Sequence, residues 1–250
     1  MFLKACINGA RHPSEHPALP STVDQMAADV RSVVAAGAHG VHLHVKDPRG
    51  VDTLVAEPLA DVLAAVRALA PSIPVGVTTG AWALPDAGLR MKAIDSWTLQ
   101  PDFASVNWHE SGAEQIATCL IERGIGVEAG LWHEDAVALW SRSPIREQCV
   151  RVLIELPDGL DETVTLSTAR RLLALVREST QDRVPVLLHG EGSSCWPALR
   201  LATRLGLLMR IGLEDTLVRP DGASAPDNAT LIRDALQMIQ EERARSARGQ

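Results

Sequence analysis

Two histidines two residues apart, His42 and His44, and an acidic pair near the far end of the chain, Glu214 and Asp215, are the residues whose types and spacing suggest chemistry most directly. In an extended strand alternate side chains share a face, so His42-Leu43-His44 turns both imidazoles to one side. That is half of a metal site or a pair of hydrogen-bonded structural histidines, and the pattern alone leaves both open. Arg210, Glu214 and Asp215 fall within six residues, which places a cation and two carboxylates together. They form either a surface ion pair or a functional set in which Asp215 is a general base fixed by Arg210. If Glu214 joins the histidines, two imidazoles and one carboxylate leave a coordination position open. Such a set suits Zn2+ first and Mn2+ or Fe2+ next, and its nitrogen ligands argue against Mg2+ or Ca2+. A metal of this kind holds a carbonyl oxygen that becomes an enolate while the base removes the proton.

These residues are distant in sequence, so regular elements must bring them together. Short apolar runs at 3–8, 40–45, 74–78, 103–107, 126–129, 150–155, 184–189 and 208–212 read as strands. Amphipathic segments at 23–36, 59–69, 86–96, 113–123, 134–141, 166–178, 196–205 and 227–243 read as helices, some entered through capping residues such as Ser21-Thr22 and Asp227. One helix follows each strand, and no Pro/Gly/Ser-rich linker interrupts the alternation. The expectation is an α/β chain folded as a single (β/α)8 TIM barrel, one catalytic domain over residues 1–250. Residues 241–250 read as a frayed helix end.

In such a barrel the chemistry sits where strands end, and polar residues gather at those positions. Thr78-Thr79-Gly80 offers hydroxyls and open backbone N–H groups for a substrate carboxylate, or, at Thr79, a plain strand-to-helix turn. Ser105, Asn107 and Glu110 are candidates for fixing polar substrate atoms, with Trp108 as a packed wall. Glu128 is read as a substrate-facing acid or as a structural partner of Arg151. The glycine-rich stretch from His189 to Ser194 gives a weak anion-site signal. The segment from Gly9 to Pro20, with Arg11, His12, Glu15 and His16, is either a specificity loop over the mouth or a solvated connection. His39, His109 and His133 read as structural.

Composition bounds the partners. The 24 basic and 31 acidic residues give a net charge of -7 with no long run of one sign, so no cationic surface is offered to nucleic acid or anionic lipid. Small molecules are the expected partners. Four separated cysteines without a CxxC pair argue for free thiols in a reducing cytoplasm. The first residues lack a signal-peptide apolar run, and no stretch reaches the roughly 18 apolar residues of a membrane span.

Taken in order, NGAR with HPALPST, AGAHGVHLHVKDPRG, VTTGAW, PDFASVNWHE, GVEAGLW and RIGLEDTL resemble the β-keto acid cleavage enzymes from about residue 3 to residue 235. The resemblance implies a zinc-binding (β/α)8 barrel, commonly a tetramer or larger. It implies condensation of a β-keto acid with acetyl-CoA and cleavage to acetoacetate and a new CoA thioester. It also implies zinc ligands at His42, His44 and Glu214, an Arg/Asp pair at Arg210 and Asp215, and substrate-orienting hydroxyls at Thr78 and Ser105. Where the family pattern carries a substrate-binding Glu, this chain has Arg11, with Glu15 four residues later. Arg11 favours an acidic or neutral substrate unless Glu15 folds back into the site. Lys46 replaces a more usual arginine, keeping the charge and losing the bidentate fork. Two other classes compete. A metal-dependent hydrolase of amidohydrolase type needs its HxH on the first strand and further histidines on the fifth and sixth, and this chain has neither. A non-catalytic metal- or metabolite-binding barrel requires that Arg210 and Asp215 tolerate replacement.

Overall fold

The strands are short and apolar because both of their faces are covered. Leu3–Cys6 (β1), Gly40–Leu43 (β2), Val75–Thr78 (β3), Phe103–Asn107 (β4), Gly126–Leu131 (β5), Arg151–Leu156 (β6), Val186–Gly190 (β7) and Leu208–Ile211 (β8) pair in parallel, in chain order. β8 returns to β1 and closes the barrel, with Lys4 opposite Arg210 and Cys6 opposite His42. The computed structural model describes residues 2–181 and 183–248. Around the barrel lie Val23–Ala35 (α1), Ala56–Leu69 (α2), Ala87–Asp95 (α3), Ala113–Glu122 (α4), Glu134–Arg142 (α5), Glu162–Thr180 (α6), Cys195–Leu205 (α7) and Asn228–Arg248 (α8). Their apolar faces supply Val30, Leu63, Ile116, Leu172, Leu199 and Ile232 to one continuous core against the outer strand faces.

The boundaries follow local hydrogen bonding. α1 starts behind Thr22, which accepts from the Gln25 N–H in a capping box. α6 begins four residues before its periodic pattern does, because the Asp161 side chain accepts from the Val164 N–H at 2.9 Å. α8 opens on Asp227, whose Oδ1 takes the Thr230 N–H at 2.7 Å. It then runs as helix through the expected frayed region to Arg248, tied to α7 by Arg204 and Glu242 at 2.8 Å; residues 249–250 lie outside the described residues. β2 stops at Leu43 because Lys46 turns back to bridge Asp52 in antiparallel fashion. His44 therefore stands just beyond the strand rather than on it. Among the described residues no helix is long and apolar enough to cross a membrane.

The barrel floor is filled by a charged plug. Glu128 lies in the middle of β5, not at a strand end, and pairs with Lys4 at 2.5 Å and with Arg151 at 3.3 Å. Arg151 lies over the Phe2 ring at 4.6 Å and Lys4 over the Phe103 ring at 5.3 Å.

Candidate active site

Toward the C-terminal ends of the strands, β2 and β8 carry the metal-ligating residue types to within reach of one another across β1. Donor atoms of His42, His44 and Glu214 all lie within 4.8 Å of each other. The His42 Nε2 to Glu214 Oε2 distance is 4.0 Å, and His44 Nε2 to Glu214 Oε1 is 3.9 Å. Both are too long for hydrogen bonds, so the three groups face a common gap. Burial, and then the cations Lys4 and Arg210 with His44, hold His42 well below the usual histidine range, which leaves a neutral imidazole. Burial pushes the Glu214 carboxyl up, but Arg210, His44, His189 and Lys4 outweigh it and hold the group ionised. Glu214 Oε2 is buried without a hydrogen-bond partner. Two imidazoles, that of His42 neutral, with an ionised carboxylate and an orphaned oxygen make a donor set that fits a divalent ion of the zinc type.

Arg210 joins this set to its neighbour. Its Nη2 donates to Glu214 Oε1 at 2.9 Å and to Asp215 Oδ1 at 2.6 Å, and its Nε also donates to Asp215 Oδ1 at 3.0 Å. Asp215 is fully buried with Oδ2 unpartnered, and burial raises its pKa against the lowering effect of Arg210. His189 Nδ1 lies 3.6 Å from Asp215 Oδ1, and its Nε2 lies 3.0 Å from Glu155 Oε2. Burial raises Glu155 to about 7 and Glu191, on the following loop, also to about 7. Gly130 makes room for this arrangement, since a Cβ there would stand against Glu155 Oε1 and 2.6 Å from Asn107 Oδ1.

A cavity of about 360 Å³ opens onto these groups. It is lined by Arg11, Glu15, His42, His44, Thr78, Ser105, Asn107, Arg210 and Glu214, all singled out in the sequence, together with Trp82, Trp132, Leu153, Glu155 and Glu191. Asp215 does not line it and stands behind Arg210. The Thr79 hydroxyl donates to the Ser105 carbonyl at 2.8 Å, the Gly80 N–H to Thr78 Oγ1 at 3.1 Å, and the Ala81 N–H to Glu110 at 2.9 Å. The N–H groups expected to be open there are thus taken, and neither Thr79 nor Gly80 faces the cavity. Glu110 is consumed by Ala81, Arg90 and Asn107, and Trp108 is buried. Glu128 remains in the floor plug, away from the cavity.

Glu15 does fold back. Arg11 Nη1 donates to it at 3.0 Å, and Arg11 Nε donates to the Leu213 carbonyl at 2.7 Å, so the cation is largely compensated by its own chain. The glycine-rich stretch is no open anion cradle, because the Ser193 N–H donates to Asp158 at 2.7 Å and the Gly192 N–H to the Asp215 carbonyl at 2.8 Å. His39, His109 and His133 lie outside the cavity lining, and His133 caps α5.

Sequence reasoning passed over Asp52, Trp82 and Trp132, and met Glu191 only as part of the glycine-rich stretch after β7. Asp52 accepts from Trp82 Nε1 at 2.8 Å and lies 2.6 Å from His44 Nδ1. The one available signal for it was the DPRG turn, which returns the chain toward β2; the tryptophans and Glu191 carry no spacing pattern of their own.

The sequence profile of the beta-keto acid cleavage enzymes matches residues 1–249. A 3-keto-5-aminohexanoate cleavage enzyme of Fusobacterium nucleatum subsp. nucleatum is 26% identical, over 96% of this chain and 92% of its own length. One from Acetoanaerobium sticklandii is 21% identical over the same shares. Among solved structures, ObcA in a binary complex with oxaloacetate superposes with a TM-score of 0.68 at 17% identity. That alignment covers 92% of this chain, which spans 64% of the ObcA chain's length. Profile, relatives and barrel agree: the chain belongs to the family of beta-keto acid cleavage enzymes, which break a C–C bond of a β-keto acid.

Proposed function

We infer that this chain is a zinc-dependent acyltransferase whose catalytic barrel condenses a β-keto acid with acetyl-CoA and cleaves the product to acetoacetate and a new CoA thioester. The observation that carries this reading is the convergence of His42, His44, Glu214 and Arg210 on one cavity, with Asp215 directly behind. His42, His44 and Glu214 hold the ion, which when bound supplies a Lewis acid for the carbonyl oxygens of the keto acid. Thr78 at the end of β3 and Ser105 midway along β4 orient the substrate carboxylate, while Asn107, Arg11 and Glu15 face its side chain. Arg210 takes the proton between keto group and carboxylate as it passes one of its own to Asp215, the terminal acceptor. A buried carboxyl with a raised pKa suits that role.

The carbanion left at that carbon attacks the thioester carbonyl of acetyl-CoA, and the CoA thiolate departs. The thiolate then attacks the original keto carbon, the C–C bond breaks, and the fragment carrying the transferred acetyl group is reprotonated as acetoacetate. ObcA, which shares the fold and has been solved with oxaloacetate and with a C4-CoA adduct and oxalate, makes a keto acid and a CoA thioester the pair to assay first. A homotetramer and a cytoplasmic location complete the proposal; the four unpaired cysteines suit a reducing compartment.

The test is metal analysis beside an acetoacetate assay with acetyl-CoA and neutral, anionic and cationic β-keto acids. One zinc per chain, lost in Glu214→Ala together with turnover, is expected. A metal-free active protein, or undiminished turnover in Glu214→Ala, contradicts the reading.

A further inference from the structure

Donors from three directions converge on one carboxylate outside the proposed ligand set. Asp52 and Lys46 are each only 8% exposed, and Lys46 Nζ donates to Asp52 Oδ1 at 2.6 Å. Asp52 Oδ2 receives Trp82 Nε1 at 2.8 Å and lies 2.6 Å from His44 Nδ1. A carboxylate salt-bridged to lysine only accepts hydrogen bonds, so the proton of His44 sits on Nδ1. That leaves the lone pair on Nε2, the atom turned toward Glu214. The bond made by one imidazole nitrogen decides what the other can ligate.

Lys46 reaches the other side of the same site. Its ammonium also donates to the Gly9 carbonyl at 2.6 Å and the Arg11 carbonyl at 3.2 Å. Gly9 has φ +59°, and a Cβ on it would lie 2.5 Å from Cγ of Glu214, so its backbone rests directly on that side chain. A tight reversal delivers Asp52 to this position. Asp47 Oδ1 accepts from the N–H groups of Arg49 and Val51 at 2.8 and 3.0 Å, and the Thr53 N–H donates to the Val45 carbonyl at 2.9 Å.

Resting on the zinc reading above, we propose that the Lys46–Asp52 pair is the positioning element of the metal site. Asp52 fixes His44 in the tautomer that ligates through Nε2, and Lys46 holds the Gly9 backbone against Glu214. The same carboxylate anchors Trp82, which is stacked on His44 with ring centroids 5.8 Å apart, so cavity wall and metal ligand are set by one group. An asparagine at 52 has a single oxygen for these donors. Its amide donates to His44 Nδ1 and drives the proton to Nε2, where it blocks ligation.

The experiment is chelator competition for Zn2+ on the full chain and on Asp52→Asn, Asp52→Glu, Lys46→Gln and His44→Ala. Imidazole 15N spectra of the metal-free proteins and urea unfolding accompany it. Asp52→Asn is expected to bind zinc about 10- to 100-fold more weakly, with the His44 proton moved from Nδ1 to Nε2. Asp52→Glu restores part of the affinity, and Lys46→Gln, which keeps Asp52, loses less and carries the test if Asp52→Asn does not fold. A folded Asp52→Asn that binds zinc within about twofold of the unsubstituted chain, or keeps the Nδ1–H tautomer, overturns the proposal. If the unsubstituted chain takes up no zinc, or His44→Ala takes it up equally well, the metal reading fails first and this proposal falls with it.

Discussion

The barrel interior holds two clusters of buried charge, and they differ in what their atoms face. In the floor, Lys4, Glu128 and Arg151 face one another and two phenylalanine rings, and none of the three lines the cavity of the mouth. Glu128 Oε1 and Arg151 Nε form no well-angled hydrogen bond, yet they lie 3.3 Å apart as opposite charges. In the mouth, Glu214 Oε2 and Asp215 Oδ2 are buried without a hydrogen-bond partner, and Glu214 Oε2 lies 4.0 Å from His42 Nε2. Buried charge on its own is therefore a poor guide to chemistry. Unmatched atoms gathered beside a cavity are a better one, because their desolvation is offset only when something else is bound.

Substitutions separate the two clusters. The largest effect is expected in the mouth: Asp215→Asn keeps the shape but cannot accept the proton, and kcat should fall by about 10²- to 10⁴-fold. Steady-state acetoacetate formation measures it. In the floor, Glu128→Ala strands Lys4 and should cost about 3–5 kcal/mol of stability in urea unfolding. The paired change Lys4→Met with Glu128→Leu recovers most of that, leaving the partly exposed Arg151 to reach solvent. A Glu128 variant that lost activity without losing stability would erase the distinction between the clusters; Lys4 is unsuited to that comparison because its charge also acts on His42 and Glu214.

A smaller effect lies between them. Gly130→Ala places a methyl where Glu155 Oε1 now sits, at an overpacking cost of about 1–3 kcal/mol, and it should change KM or kcat because Glu155 lines the cavity. Unaltered kinetics would remove Glu155 from the account.

The smallest effect is remote from both clusters. Asp29 on α1 accepts from Asn228 Nδ2 at 2.7 Å, and burial pushes its pKa up to about 7. The folded state then binds a proton that the unfolded state releases near pH 4, so stability is highest in acid and falls as pH rises from about 4 to about 7. Asp29→Asn should flatten that slope. Denaturant midpoints at several pH values read it directly.

The fold was legible because every strand–helix unit repeats the same two periodicities, and closure then requires β8 to lie beside β1. The convergence of His42, His44, Glu214 and Arg210 was legible for the same reason, since strand ends are fixed by the topology. What escaped depends on short loops. Asp52 reaches His44 only through the reversal at Asp47–Gly50, and Glu191 faces the cavity from an irregular turn after β7. Glu128 was placed at a strand end because the apolar pattern of β5 fades at Gly130, although the ladder continues to Leu131. That glycine marks a close approach of Glu155 rather than the end of a strand.

The most direct test of the central claim is the fate of the acetyl group. With acetyl-CoA carrying 13C in both acetyl carbons and a β-keto acid that turns over, the account predicts label in carbons 3 and 4 of acetoacetate. The new CoA thioester should carry none. Unlabelled acetoacetate, or labelled acetate released by simple hydrolysis of the thioester, would contradict it.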